Sequence, residues 1–245
     1  MLPKAVIGFP KEKFTRDNYR EKLIVSTTQK VNDAIKSIDD AAGNGAEAIE
    51  LDMIIDVEKL EEATLRDKDA KVEEWLYQQL KNSNPSQAEK HWESALELAG
   101  QSRELIDKVK RDIDIVIEKS SQQAKKRQIG VRVMVILETS LLTPGEVATA
   151  SKIVRATNAV AVKTNTGMGP RGSSDQDVRT MRNVVGLSKL IKAAGSVSRA
   201  TIFKRRIAGA NVFGMSASRE VAGHKWSHLK AESRKATKSK ARSGY

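Results

Sequence analysis

Residues 158–174 read NAVAVKTNTGMGPRGSS. The apolar run Ala159-Val160-Ala161-Val162 leads straight into Lys163, and a loop with glycines at 167, 169 and 172 follows. A short apolar run closed by turn residues predicts a strand buried on both faces. Lysine is rare in such a place, because removing an ammonium from water is costly unless it is paired or neutralised. A lysine where a buried strand meets a glycine loop therefore has to be explained by chemistry or by a partner.

The same pattern recurs along the chain. Strands are predicted at Ala5–Phe9, Ala48–Ile55, Val131–Glu138, Ala159–Thr164, Lys189–Ala193 and Asn211–Ser216. Helical patterns separate most of them, at Ser26–Gly43, Thr143–Thr157, Ser174–Gly186 and Ser198–Ala208. Thr143-Pro144 with Glu146 predicts a helix start, and Ser198 predicts another. Apolar strands spaced by helices give a parallel sheet covered on its faces, either a (β/α) barrel or an open doubly wound sheet.

One stretch breaks the rhythm. Between Leu60 and Val131 there is no strand signal, although a crossover needs far fewer residues. Glu61–Lys81 and Gln87–Lys126 are rich in charged helix formers and flank the turn-like Asn82–Ser86, which predicts a helical excursion. Trp75, Leu76, Leu80, Trp92, Leu96 and Leu98 are expected to pack it onto the body.

The chain of 245 residues is 39% hydrophobic and 30% charged, sufficient for a sizeable core. With no cysteine it has neither a disulfide framework nor a thiolate-bound metal, which suits a reducing compartment. No stretch approaches the ~18–20 apolar residues of a membrane span, so a cytoplasmic protein without membrane contact is expected. Of the net charge of +12, Arg199–Tyr245 carries +10, from twelve Lys/Arg against Glu220 and Glu232. A basic end of this kind reads as a solvated tail, and it can also attract polyanions. The organisation expected is a barrel domain over 1–218, with a helical insertion at about 61–104, followed by a basic helix or tail over 219–245.

Parallel α/β folds place chemistry at the C-terminal ends of strands. Glu50 and Asp52 share one face of the second strand, because alternate side chains do. The third strand ends in Glu138-Thr139, the fourth in Lys163-Thr164, and the fifth contains Lys192. Paired neighbouring strands bring Lys163 and Lys192 into one cavity, where two ammonium groups and desolvation disfavour each other's charge. A free lysine amine can attack a carbonyl to form a Schiff base, and Asp52 is placed to move protons. The glycines at 167, 169, 195 and 214 let backbone amides approach an anion.

At these residues the sequence resembles the deoxyribose-phosphate aldolase family, class I Schiff-base aldolases on a TIM barrel. The stretches that carry the resemblance are AVIGFPKEK (5–13), NGAEAIELDMII (44–55), VMVILETSLLT (133–143), AVKTNTGMG (161–169), IKAAGSVS (191–198) and FGMSAS (213–218). The resemblance implies Lys163 as the Schiff-base lysine, Lys192 as the second lysine that tunes it, and Asp52 as the proton-relay aspartate. It places Thr166, Gly167, Gly195, Ser196, Gly214 and Ser216 around the substrate and its phosphate. Tyr245 resembles the mobile C-terminal tyrosine of some members. The implied reaction is reversible cleavage of 2-deoxy-D-ribose 5-phosphate into D-glyceraldehyde 3-phosphate and acetaldehyde, with no metal or organic cofactor; homo-oligomerisation is open.

The sequence also departs from the family. By the resemblance AVIGFP corresponds to the third family strand, so the first two βα units are expected to be lacking, with six strands where a closed barrel needs eight. The usual Gly-Gly after the second lysine is Gly195-Ser196, the lysine that commonly opens the VILET strand is Met134, and the second serine of the last loop is Ala217. A reading from another class therefore stands beside the enzyme: a catalytically weakened barrel that binds partners through its helical excursion and basic tail.

Overall fold

The computed structural model describes residues 4–7 and 25–215. The expectations placed on Phe9, Ser216, Tyr245 and the basic segment 219–245 lie outside those residues. Six strands form one sheet: β1 (Lys4–Ile7), β2 (Ala48–Ile54), β3 (Gly130–Ile136), β4 (Ala161–Lys163), β5 (Leu190–Ala194) and β6 (Val212–Gly214). All pairs are parallel and the spatial order follows the chain order, β1 to β6. A doubly wound sheet reverses its order at a switch point, whereas a (β/α) barrel adds each strand on the same side of the last. The order is the barrel's, and the described strands form an arc of one.

Right-handed crossovers put every helix on the outer face of such an arc. These are α1 (Thr27–Gly43), α2 (Val57–Leu80), α3 (Pro85–Arg127), α4 (Pro144–Arg155), α5 (Asp175–Val185) and α6 (Ile202–Ile207). Ile49, Leu51, Met53, Val133, Val135, Val162 and Ile191 pack with Ala34, Ile38, Leu60, Ile113 and Val116 in one apolar cluster. Alternation then turns Glu50, Asp52, Met134, Ile136, Ala161, Lys163 and Lys192 to the inner face. Strands buried on both sides read as continuous apolar runs, so the inward charges are what mark that face in the sequence.

The helix starts are chemically specified. Ser26 accepts from the Gln29 amide, and Thr143 with Glu146 and Ser174 with Asp177 form reciprocal capping boxes. The start expected at Ser198 is corrected. The Ser198 amide donates to Thr201 Oγ1 at 2.9 Å, residues 198–201 form a turn, and α6 begins at Ile202.

The excursion is an antiparallel pair, α2 and α3, with α3 running roughly 65 Å at 1.5 Å per residue. Its seam is made of small residues at seven-residue spacing, Ala88, Ala95 and Ser102 on α3 against Ala63 and Ala70 on α2. Backbones approach closely there, and Ser102 Oγ donates to the Ala63 carbonyl at 2.8 Å. Beyond Ala70 no residue of α2 is buried, so the expected packing onto the body fails for Trp75, 60% exposed, and on α3 for Leu96, 53% exposed. Trp92 instead lies beside Tyr77, ring centres 5.2 Å apart. Among the described residues, no helix is long and apolar enough to cross a membrane.

Candidate active site

Four ionisable side chains meet on the inner face. Lys163 ends β4 and is the register partner of Lys192 on β5. Lys163 Nζ donates to Asp52 Oδ2 at 2.7 Å. Lys192 Nζ donates to Glu50 Oε1 at 2.5 Å and lies 3.3 and 3.2 Å from the two Asp52 oxygens. All four are buried, with 7% exposure for Glu50, 3% for Asp52, 6% for Lys163 and 2% for Lys192.

The reach of these bonds is informative. β2 and β5 are separated by two strands, so in a flat sheet their axes would lie roughly 14 Å apart, with side chains standing away from the sheet in parallel. A 2.5 Å contact between Lys192 and Glu50 requires the sheet to curl, as a barrel wall does. The curl draws the lysines of β4 and β5 and the two carboxylates of β2 into one cluster.

The sequence places two ammonium groups side by side, and the structure sets two carboxylates between them. Burial pushes Lys192 down, but the hydrogen bond to Glu50 and the charges of Asp52 and Glu50 together outweigh it and hold Lys192 above the ordinary lysine range.

Above the cluster lie the loops after β3, β4 and β5. Glu138 is fully buried with a left-handed backbone at φ 54°. Its carboxylate accepts from Thr166 N at 2.9 Å and from Ser140 Oγ at 2.7 Å, tying the third strand end to the glycine loop. Thr164 Oγ1 both donates to the carbonyl and accepts from the amide of Ala194, each at 2.9 Å, locking β4 to β5 past the strand ends. Asn165 Oδ1 accepts from Ser140 N at 3.0 Å, which fixes the amide's orientation, and its buried Nδ2 has no hydrogen-bond partner among the described residues. Asp177 collects Arg171, Thr139 Oγ1 and Ser174 N. Burial raises that carboxyl, but Arg171 and the Ser174 amide pull it back below the usual aspartate range.

Of the substrate-side residues expected from the sequence, Thr166 turns its hydroxyl to the Met168 amide at 3.1 Å. Gly167 and Gly195 have φ of 97° and 84°, and a Cβ on Gly167 would lie 3.9 Å from the Gly195 Cα, so these two loops meet. Gly214 pairs with Ala194, whose Cβ would stand 3.1 Å from a Cβ added there. Ser196 takes φ 53°, a region that costs a residue with a side chain ~1 kcal/mol or more. The structure thus gathers Lys163, Lys192 and Asp52 in one cluster and brings Thr166, Gly167, Gly195, Ser196 and Gly214 to the adjoining strand ends. Ser216 and Tyr245 lie outside the described residues. Sequence reading noted Glu50 on the face of Asp52 and Glu138 at a strand end without giving either a role, and passed over Asn165. The signal for Glu50 was its i, i+2 relation to Asp52.

No family model matches the chain. The deoxyribose-phosphate aldolase of Thermoanaerobacter pseudethanolicus is 41% identical over 125 residues, 51% of this chain and 53% of that protein. Those of Malacoplasma penetrans and Mycoplasmopsis synoviae are 39% identical over 113 residues, covering 45% of this chain and 50% of theirs, and 44% over 99 residues, covering 39% and 44%. The matches to these curated relatives thus span about half of their length. Among solved structures, QR15, described as an aldolase, superposes with a TM-score of 0.59 at 21% identity, covering 92% of this chain and 73% of that one. A putative deoxyribose-phosphate aldolase from Coccidioides immitis gives 0.55 at 24% identity, with 91% and 63% covered. The structural likeness establishes the fold, and over about half of its length this chain is similar in sequence to the deoxyribose-phosphate aldolases.

Proposed function

We propose that the chain catalyses reversible aldol cleavage of 2-deoxy-D-ribose 5-phosphate to D-glyceraldehyde 3-phosphate and acetaldehyde through an imine on Lys163. The observation that carries this reading is the buried Lys163–Asp52 pair beside a second lysine that is itself held charged. A nearby fixed cation makes it easier for Lys163 to give up its proton, and Asp52 at 2.7 Å is an acceptor in place.

The free amine attacks the C1 aldehyde of the open-chain sugar, and loss of water leaves an iminium. Removal of the C3 hydroxyl proton breaks the C2–C3 bond. Its electron pair moves into the iminium to give an enamine, and glyceraldehyde 3-phosphate departs. Asp52, directly or through a water, returns a proton to C2, and hydrolysis releases acetaldehyde and the lysine. The amides around Gly167, Gly195, Ser196 and Gly214, with Ser216, are the proposed phosphate cradle, supported by the convergence of those loops at the strand ends. On this reading β1 to β6 are the third to eighth strands of the family barrel, α2–α3 is an insertion into it, and the protein acts in the cytoplasm on a phosphorylated sugar.

The test is acetaldehyde release from 2-deoxyribose 5-phosphate. Activity lost in Lys163→Ala, with the melting profile unchanged in shape, supports the reading. Folded wild-type protein that releases none favours the binding or scaffold role instead.

A further inference from the structure

We propose that Glu50 is a positioning residue that keeps Lys192 a permanent cation and so leaves Asp52 to serve Lys163. The inference rests on the aldolase reading for its consequence, but not for its geometry. An ammonium has three N–H donors, and those of Lys192 are divided unequally: the shortest contact, 2.5 Å, goes to Glu50, while both Asp52 oxygens lie beyond 3.1 Å. The shortest bond of Asp52 is the one to Lys163, at 2.7 Å. The carboxylates are thus sorted, Glu50 to Lys192 and Asp52 to Lys163.

The sorting answers a difficulty built into the site. The chemistry needs two lysines of opposite habit, one that loses its proton and one that keeps it. Burial pushes both towards the neutral amine, and Lys192, at 2% exposure, is too deep for water to hold its charge. A dedicated carboxylate on one lysine separates them. Among the described residues, Glu50 brings the cluster to two lysines and two carboxylates. Without it, Asp52 alone would face two buried ammonium groups, and either Lys192 would discharge or Asp52 would be drawn away from Lys163.

Among the described residues, the register neighbours offer no substitute. On the inner face β4 presents Lys163 to Lys192, β3 presents Met134 and Ile136, and the β6 register partner is Val212. Arg132, the register partner of Glu50 on β3, is a cation. Among these positions Glu50 and Asp52 are the acids.

The decisive experiment needs no turnover: an NMR pH titration of protein labelled with 13C at the lysine ε-carbons, with the Lys192 resonance identified by its absence in Lys192→Met. Wild-type Lys192 stays charged beyond the ordinary lysine midpoint, Glu50→Gln moves its midpoint down by at least about one pH unit, a tenfold change in proton affinity, and Glu50→Asp moves it less. In turnover, where present, the alkaline limb of the pH–rate profile moves down with it in Glu50→Gln and by less in Glu50→Asp. An unmoved Lys192 midpoint in Glu50→Gln overturns the proposal, as does a rate loss that is uniform across pH. Should Glu50→Gln fail to fold, Glu50→Asp decides alone, with a downward shift supporting and no shift overturning. A wild-type chain without aldolase activity would sink the proposed function and still leave the Glu50–Lys192 coupling decided.

Discussion

Lys30 and Lys192 are equally buried, 2% exposed each, and sit on opposite sides of the same sheet. Lys30, on α1 in the helix layer, donates to the Ile54 carbonyl at 2.8 Å, with Asp56 and Asp112 acting only through charge. Burial dominates there and its pKa falls below the ordinary 10.5. Lys192 has burial working against it too, yet a carboxylate in contact reverses the outcome. Depth alone does not decide the state of a buried lysine. What each ammonium touches also counts: a backbone carbonyl for Lys30, and the carboxylates of Glu50 and Asp52 for Lys192.

The comparison can be broken most severely at Asp52, which touches both inner lysines. Asp52→Asn is expected to cost about 10²–10⁴ in turnover, as loss of a positioned proton-transfer group does, and roughly 3–5 kcal/mol in stability by uncovering a buried ammonium. Steady-state rates and denaturant melts check both. A variant as active as wild type would remove Asp52 from the mechanism.

Stability against alkaline pH sharpens the contrast between the two lysines. Lys30 has a lowered folded pKa, so the unfolded chain binds more protons between that value and 10.5, and this lysine makes stability rise with pH across the window. Lys192 has a raised one, so its contribution is complete below 10.5 and is lost as pH climbs through the folded value. Lys30→Met should flatten a rise of at most about 1.4 kcal/mol per pH unit, measured by denaturant melts across the alkaline range. An unchanged slope would mean that Lys30 is not depressed by its burial.

The smallest expected effect lies at Ser196. Relieving its left-handed backbone with Ser196→Gly should raise stability by up to about 1 kcal/mol, read as a higher denaturant midpoint, while the lysine cluster keeps its titration. A loss of stability would show that the Ser196 side chain contributes more than its backbone costs.

Much of this arrangement can be read along the chain, and the gaps have physical causes. The six strands, the caps at Thr143 and Ser174 and the lysine pair follow from apolar runs, capping patterns and parallel pairing, all local or next-neighbour properties. The barrel order follows only once pairing is seen, because a doubly wound sheet uses the same units. Glu50 was visible as a face-mate of Asp52, but its bond to Lys192 spans 142 positions and depends on curvature that no local pattern encodes. Trp75 misled because a large aromatic is expected inside, whereas the α2–α3 seam is built from alanines and serine, leaving no place for a ring between the backbones.

The central claim is that Lys163 is the amine that meets the substrate carbonyl. Brief borohydride reduction in the presence of acetaldehyde, followed by peptide mapping, tests it most directly. The account predicts a saturable ethyl adduct on Lys163, absent in Lys163→Ala, with Lys192 unmodified. Label spread over exposed lysines and missing from Lys163 in folded protein would contradict it.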